Sequence, residues 1–517
     1  MSTIDHDIII LGGGHNGLVA ACYLAQAGMG VLLLERREVL GGACVTEELF
    51  PGYRFSACSY ICHMLQTKVV DDLELRKHGF EVFPLEPSRF SPLPDGRSLL
   101  LWDDLERSQE EIRRFSKKDA ESYPKWLDFW RRAAGLIHAY FLKPPPTISE
   151  IAERVRGTKD EALFDQLLTA NMKDLVDQFF ESDIVKGTLI HAQDVGDVNA
   201  PGSAWCYAYI KCNMFSAPEN VGIVKGGMGS ITQAMATTAR ERGVKLQTKA
   251  IVNHVLVEDG TAIGVVMEDG TTIRSNIVVS NADPKRTFLK LVELEHLDPA
   301  FVRRIKKLKT GTAYLKFHAA LKGLPDLSAY FPNNNYDPRV LGEIKICPSV
   351  EYYEQSWQDA SGGRPASQPI MEVQVPTGYD PSMAPPGHHI LSTWALYAPV
   401  QLKEGNWDQQ RQEVGGNLID SLSIYMPNIR EIMVAWSLFT PLDIEQRVGL
   451  TDGNIRHLDI IPSQFLAQRP MAGWANYHTP IKNLYLCGAG THPGGEVTGA
   501  PGHNAAMRVL GGWDKKQ

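Results

Sequence analysis

Two glycine-rich turns at opposite ends of a 517-residue chain carry the strongest chemical signal. The first is Gly12-Gly13-Gly14-His15-Asn16-Gly17, in which Gly12, Gly14 and Gly17 follow the spacing G-x-G-x-x-G. In such a turn the first glycine permits a tight bend and the second lets the backbone approach a pyrophosphate. The third lets a helix pack closely on a strand. Glu35 follows at about the twenty-residue interval that brings a carboxylate to ribose hydroxyls. A 2′-phosphate would be repelled there, so the site should not hold NADP. The second turn is Gly488-Ala489-Gly490-Thr491-His492-Pro493-Gly494-Gly495-Glu496, continued by Val497-Thr498-Gly499-Ala500-Pro501-Gly502. His492 and Glu496 within it, and His63 far upstream, are the candidate acid–base groups.

The elements that must position these residues are legible around them. Asp7-Ile8-Ile9-Ile10-Leu11 and Val31-Leu32-Leu33-Leu34 are short apolar runs, as buried parallel strands require. Between them Leu18 to Ala27 reads as a small-residue helix that stops at Gly28. Asn483 to Cys487 reads as a strand and His503 to Leu510 as a helix, so the second turn also joins strand to helix. Ser230 to Arg242 is a helix. Asp259-Gly260 and Asp269-Gly270 between apolar runs announce a β-meander that returns through Ile277 to Asp283.

The middle of the chain reads differently. Trp102 to Trp130 and Ile151 to Ile190 have helical periodicity with solvated faces, and Lys143-Pro144-Pro145-Pro146 separates them. Trp205, Tyr207 and Tyr209 alternate along one run and would line an apolar channel or belong to the core. From Leu308 to Pro441, extended runs alternate with Pro/Gly loops. The organisation expected is a cofactor domain in three pieces, residues 1–95, 221–300 and 446–517. A mainly helical insertion (96–220) and a second substrate-domain segment (301–445) lie between them.

In order along the chain, Gly12-x-Gly14-x-x-Gly17, Glu35-Arg36, Gly41-Gly42, Gly226-Gly227-Met228-Gly229, Ser280-Asn281-Ala282-Asp283-Pro284 and Gly488 to Gly494 resemble the phytoene desaturase-like flavoprotein family. Arg469-Pro470 to Ala506 looks most like its pyridine nucleotide-disulfide oxidoreductase domain-containing protein 2 branch. The resemblance implies an α/β fold: a glutathione-reductase-type, Rossmann-like FAD-binding domain interleaved with an α+β substrate domain. It implies extended FAD, with ADP along Gly12, Gly14, His15, Asn16, Gly17, Glu35 and Arg36. Gly41, Gly42 and Ala43 would pass the pyrophosphate or ribityl chain, and Val252 would meet the adenine. Asn281 would join this set, and the flavin ring would lie at Gly488, Ala489, Gly490, Gly499, Ala500 and Gly502. It implies two-electron dehydrogenation or isomerisation of a C–C bond in a hydrophobic small molecule. An O2-using amine oxidase and a non-catalytic flavin-bound scaffold are the alternatives.

The residues themselves narrow this. Disulfide reductases need two cysteines about five positions apart beside the flavin. Cys44 has no such partner before Cys58, and the Cys58-x-x-x-Cys62 spacing is that of ordinary buried residues. Gly227-x-Gly229-x-x-Thr232 lacks the third glycine of a second nucleotide site. Disulfide exchange and NAD(P)H use are therefore not expected. Adjacent His388-His389 would point apart on a strand, so no metal is expected. A net charge of -8, with no basic helix or P-loop, argues against nucleic-acid partners. Absence of a signal or bilayer-length apolar run points to the cytoplasm. Peripheral membrane contact stays open, as does the oligomeric state, a dimer among the options.

Overall fold

The computed structural model describes residues 4–511. Its first sheet has seven strands. Strands Val252–Glu258, Thr261–Met267, Thr272–Ser280, His6–Leu11, Val31–Leu34 and Lys245–Gln247 lie in that spatial order, and Leu484–Leu486 pairs in parallel with Thr272–Ser280. His6–Leu11 pairs in parallel with neighbours on both sides, Ile8 opposite Ile277 and Val31. The unbroken apolar runs follow from this position, because a central strand buries both faces. Ile8, Ile10, Val31 and Leu33 pack toward the helices His15–Gln26 and Gly229–Glu241. Ile9, Leu11, Leu32 and Leu34 pack toward the meander. The Asp-Gly turns do close that meander, in antiparallel register.

The second sheet also has seven strands. Their order is Met433–Phe439, Thr312–Leu321, His389–Pro399, Ile370–Gln374, Ile344–Ile346, Arg89–Pro92 and Ser98–Leu101. Strand Arg89–Pro92, from within residues 1–95, is hydrogen-bonded here. Its two faces differ in chemistry. Leu315, Phe317, Met371, Val373 and Leu391 form an apolar back packed on the helix Trp407–Ser423. The alternate positions Lys316, His318, Lys345, Glu372, Gln374, Ser392 and Trp394 occupy the front.

Helices face that front. Lys117–His138 and Ser203–Ile210 bring Trp126, Trp130, Trp205, Tyr207 and Tyr209 into one aromatic cluster, with the Trp130 and Tyr207 rings edge-to-face at 4.8 Å. The alternation of Trp205, Tyr207 and Tyr209 is not a strand pattern. The three lie on a helix, and burial from every side replaces a single lining face. The expected helical stretch from Ile151 to Ile190 is four short helices, Ile148–Val155, Glu161–Thr169, Met172–Phe179 and Asp183–Leu189. Local caps divide it: Thr147 forms a capping box with Glu150, and Asn171 accepts from the Asp174 amide. Among the described residues no helix is long and apolar enough to cross a membrane.

Candidate active site

The first glycine turn is built by contacts that leave no room for a Cβ. A Cβ on Gly17 would meet the Gly12 carbonyl oxygen at 2.2 Å. Gly12 has φ of +98° and donates to Leu34 O at 2.8 Å. Asn281 supports the same turn: its amide donates to Leu11 O, and its Nδ2 donates to Gly12 O at 3.2 Å. The loop at Gly41-Gly42 lies directly against it. Gly41 N donates to Gly13 O at 2.9 Å, and a Cβ on Gly42 would meet Gly14 Cα at 3.2 Å. No side chain caps the helix His15–Gln26, so its first amides are available to an anion.

Glu35 is buried, and its carboxylate accepts from the amides of Gly13 and Arg37, both at 2.8 Å. Its carbonyl accepts from Ala250 at 2.9 Å, which brings the strand of Val252 beside it. Arg36 points elsewhere. Its Nη2 donates to the carbonyls of Gln446 and Arg447, at the end of the helix Pro441–Val448. Ala43 sits half-buried next to the Gly41-Gly42 loop.

The second turn meets the first. Cys487 N donates to Ser280 O at 2.9 Å, placing Gly488 beside Asn281. A Cβ on Gly490 would meet Pro284 at 2.4 Å. Gly499 has φ of +71° and opens the helix Ala500–Val509, whose first amide, Ala500 N, donates to Thr498 Oγ1 at 3.1 Å. A Cβ on Gly502 would meet the Asn16 carbonyl oxygen at 2.2 Å, so the starts of the two helices touch at Gly502 and Asn16. Arg469, fully buried, fixes the turn from behind. It donates to Ala489 O at 2.8 and 3.1 Å, and to the carbonyls of Arg456, Leu458, Asp459 and Gln464.

Of the three acid–base candidates, two come together. His63 Nε2 lies 4.0 Å from Glu496 Oε2. Burial alone would raise the Glu496 carboxyl, but Arg456, His63 and His15 outweigh it and hold it below the usual carboxylate range. Arg456 donates to Glu496 at 2.7 Å through Nε, and to Asp194 at 2.8 Å through Nη1. His492 is separate. Its Nε2 bonds to Tyr140 O at 2.9 Å, and burial pushes it down to about 4.

These residues fit an extended FAD. The buried atoms His15 Nε2, Asn16 Oδ1, His63 Nδ1 and His457 Nδ1 have no protein partner, and they come from segments that all border the two turns. Gly12 to Gly17 with Glu35 would hold the ADP half. The Gly41-Gly42 loop would pass the pyrophosphate, and Gly488 to Gly502 would receive the ring.

The front of the second sheet carries a buried charged row that was not legible as such in the sequence. Lys345 pairs with Glu372, Glu372 with Trp394, and Trp394 with Lys316, one row across four strands. Lys316 has no exposed surface, and its Nζ has no hydrogen-bond partner. It lies 5.2 and 4.8 Å from the ring centres of Tyr60 and Trp394, and burial pushes it down to about 7. Tyr60 donates to Glu372 at 2.8 Å. A narrow cavity opens over the same face, bounded by Tyr60, Gln374, Ser392 and Met383. The available signal was a lone charge inside each short apolar strand: Lys316 in Ala313 to Leu321, Lys345 between Ile344 and Ile346, and Glu372 in Ile370 to Gln374.

Known proteins resemble this chain along most of its length. Residues 17–403 match the family model described as flavin containing amine oxidoreductase. A pyridine nucleotide-disulfide oxidoreductase domain-containing protein 2 from Mus musculus is 35% identical over 544 residues, 98% of this chain and 93% of the relative. A lycopene-forming phytoene desaturase from Pantoea ananas is 26% identical over 97% of this chain and 98% of its own. The fold matches an oxidoreductase from Methanosarcina mazei with a TM-score of 0.62 at 16% identity, over 98% of this chain and all of that one.

Proposed function

The chain belongs to the flavin containing amine oxidoreductase family, and from that premise we propose that it is an FAD-dependent dehydrogenase forming a C=C bond in a largely apolar small molecule. The observation that carries the reading is the pairing of His63 with Glu496 of the second turn, Nε2 to Oε2 at 4.0 Å. The aromatic helix borders the same turn, where the Tyr209 hydroxyl donates to Gly495 O at 2.7 Å.

When bound, FAD supplies a two-electron acceptor that takes a hydride from a substrate carbon. The chain's own groups do the rest. The aromatic helices exclude water and orient the substrate. His63 Nε2 accepts the proton from the neighbouring carbon, which balances the desaturation. Glu496, pinned by Arg456, keeps a negative charge 4.0 Å from that imidazole and stabilises it once charged. At the start of the helix Ala500–Val509 the Ala500 amide is held by Thr498 Oγ1 and Pro501 has none, which leaves the Gly502 amide of these three to favour negative charge near the ring.

The thiols support the same reading. All eight cysteines are buried and free. Burial pushes Cys44 and Cys62 up to about 12, and Cys58 to about 11, so none is poised to attack a disulfide. The desaturase relative, matched over nearly its full length, favours a C–C bond over an amine. The test is anaerobic mixing of the FAD-loaded protein with a panel of apolar alkanes, alkenes and alkyl amines. Bleaching of the flavin band by a hydrocarbon, with the desaturated product recovered, is expected. Rapid bleaching by NADPH alone, or bleaching by an amine only with stoichiometric peroxide once O2 is admitted, would overturn it.

A further inference from the structure

The Arg456 guanidinium sits between two carboxylates from distant parts of the chain. On one side its Nε and Nη2 both meet Glu496 Oε1, at 2.7 and 2.6 Å. Because both donors fall on one oxygen, Oε2 is left over, and Oε2 is the atom that faces His63 Nε2 at 4.0 Å. On the other side Nη1 donates to Asp194 Oδ1 at 2.8 Å and to the Tyr314 hydroxyl at 2.9 Å. Asp194 lies 262 positions from Arg456 in the chain. Its carboxylate accepts from Arg456, from the Tyr314 hydroxyl at 2.6 Å and from the Ile460 amide at 2.7 Å.

The two ends of this chain of contacts are held differently. Asp194 is anchored independently of the second turn. Its side chain is buried, and its carbonyl accepts from Thr312 Oγ1 at 2.7 Å. The carbonyl of its neighbour Gln193 accepts from the Tyr397 hydroxyl at 2.8 Å. Glu496, by contrast, sits at φ of +62°, a conformation that a residue with a side chain seldom adopts. Beside it, a Cβ on Gly495 would meet Arg456 Cβ at 2.6 Å, so the turn is wrapped directly onto the arginine. Burial alone would lower Arg456, but Asp194, then Glu496 and Tyr314, outweigh it and keep the guanidinium charged. That group is a rigid planar fork, so fixing Nη1 also fixes where Nε and Nη2 point.

We propose that Asp194 is a positioning residue for the His63–Glu496 pair: by holding one edge of the Arg456 guanidinium, it turns the free oxygen of Glu496 toward His63. This deepens the dehydrogenase reading and rests on it for the role of His63. Asparagine at 194 cannot do the same. All three groups around the Asp194 carboxylate are donors, so an amide NH2 opposes at least one of them whichever way it is turned. The guanidinium then loses its fixed edge, and the Glu496 carboxylate loses its orientation.

The first readout needs no substrate. In crystals of the FAD-loaded protein, Asp194→Asn should lengthen the His63 to Glu496 separation by about 1 Å, with flavin content and the Tyr209–Gly495 hydrogen bond kept. The second is single-turnover, anaerobic flavin reduction by the fastest alkene of the panel. Displacement of a reacting group on that scale slows reduction by roughly a hundredfold, with substrate affinity unchanged. Tyr314→Phe removes one hydrogen bond to each of Asp194 and Arg456 and keeps the buried charges, so it covers the case in which Asp194→Asn fails to fold. It should slow reduction in the same direction by up to roughly tenfold. In a Glu496→Gln background Asp194→Asn should have no further effect on the rate, because it acts only through that carboxylate. An unmoved Glu496, unchanged rates in both variants, or full slowing by Asp194→Asn in the Glu496→Gln background would overturn the proposal. The two readings fail separately. If no hydrocarbon bleaches the wild-type flavin, the dehydrogenase reading falls, and the crystal structures still decide whether Asp194 aims Glu496. If a hydrocarbon bleaches wild type and Asp194→Asn at one rate, only the positioning role falls.

Discussion

Replacing Gly502 by alanine tests whether the two ends of the chain hold one cofactor. Gly502 lies in the helix Ala500–Val509, where an ideal Cβ would sit 2.2 Å from the Asn16 carbonyl oxygen. Real Cβ atoms essentially never come closer than 3.0 Å, so the helices must part by at least the 0.8 Å difference. Both helix starts would face the bound FAD, so this displacement should act on cofactor geometry as much as on packing. Overpacking of a tight contact costs about 1–3 kcal/mol. Expressed wholly in FAD affinity, that is a weakening of roughly fivefold to ~150-fold. The assay is FAD dissociation followed by flavin fluorescence, with thermal unfolding in saturating FAD as the second readout. Gly135→Ala is the control: it lies in the helix Lys117–His138 with nothing within 4 Å of its Cβ, and it should be neutral or stabilising by up to about 1 kcal/mol. FAD affinity and melting both unchanged in Gly502→Ala would refute the shared-grip argument.

Three further outcomes are expected. Glu35→Ala removes the acceptor of two amide hydrogen bonds at 2.8 Å, each worth about 1.5–3 kcal/mol, and should weaken FAD by at least about tenfold in the same fluorescence assay. Arg469→Met strips the donors from five buried carbonyls and should destabilise the fold by more than about 3 kcal/mol in urea unfolding. Stability should also fall with acid. Burial pushes His15 and His492 down to about 4 and His457 to about 3, from 6.5. Between those values the unfolded chain binds protons that the fold does not, so their contribution is full above pH 6.5 and is lost as the pH drops below it. At about pH 5.5 each such histidine costs about 1.4 kcal/mol, and His492→Asn should remove one such increment from the difference between about pH 7.5 and 5.5.

The cofactor half was legible because its signals are local. A glycine triplet, an apolar run and an acid at fixed spacing are consequences of backbone geometry within some thirty residues, so Gly12 to Glu35 can be read directly. The Asp-Gly turns of the meander are readable for the same reason. Arg36 is adjacent to Glu35 in sequence, yet its side chain serves a helix end more than 400 positions away, and no local rule points there.

The sequence by itself determined the strand–turn–helix units at both ends, the family resemblance and the cofactor class, because sterics and hydrogen bonding act between neighbours in the chain. Only the tertiary structure decided that Gly502 abuts Asn16, that His63 meets Glu496 while His492 turns to Tyr140, and that Arg89 and Lys345 converge on the Thr188 carbonyl. The reason is physical. Charge balance in a buried wall is a sum over side chains from separate strands and helices, and folding alone sets which of them share it.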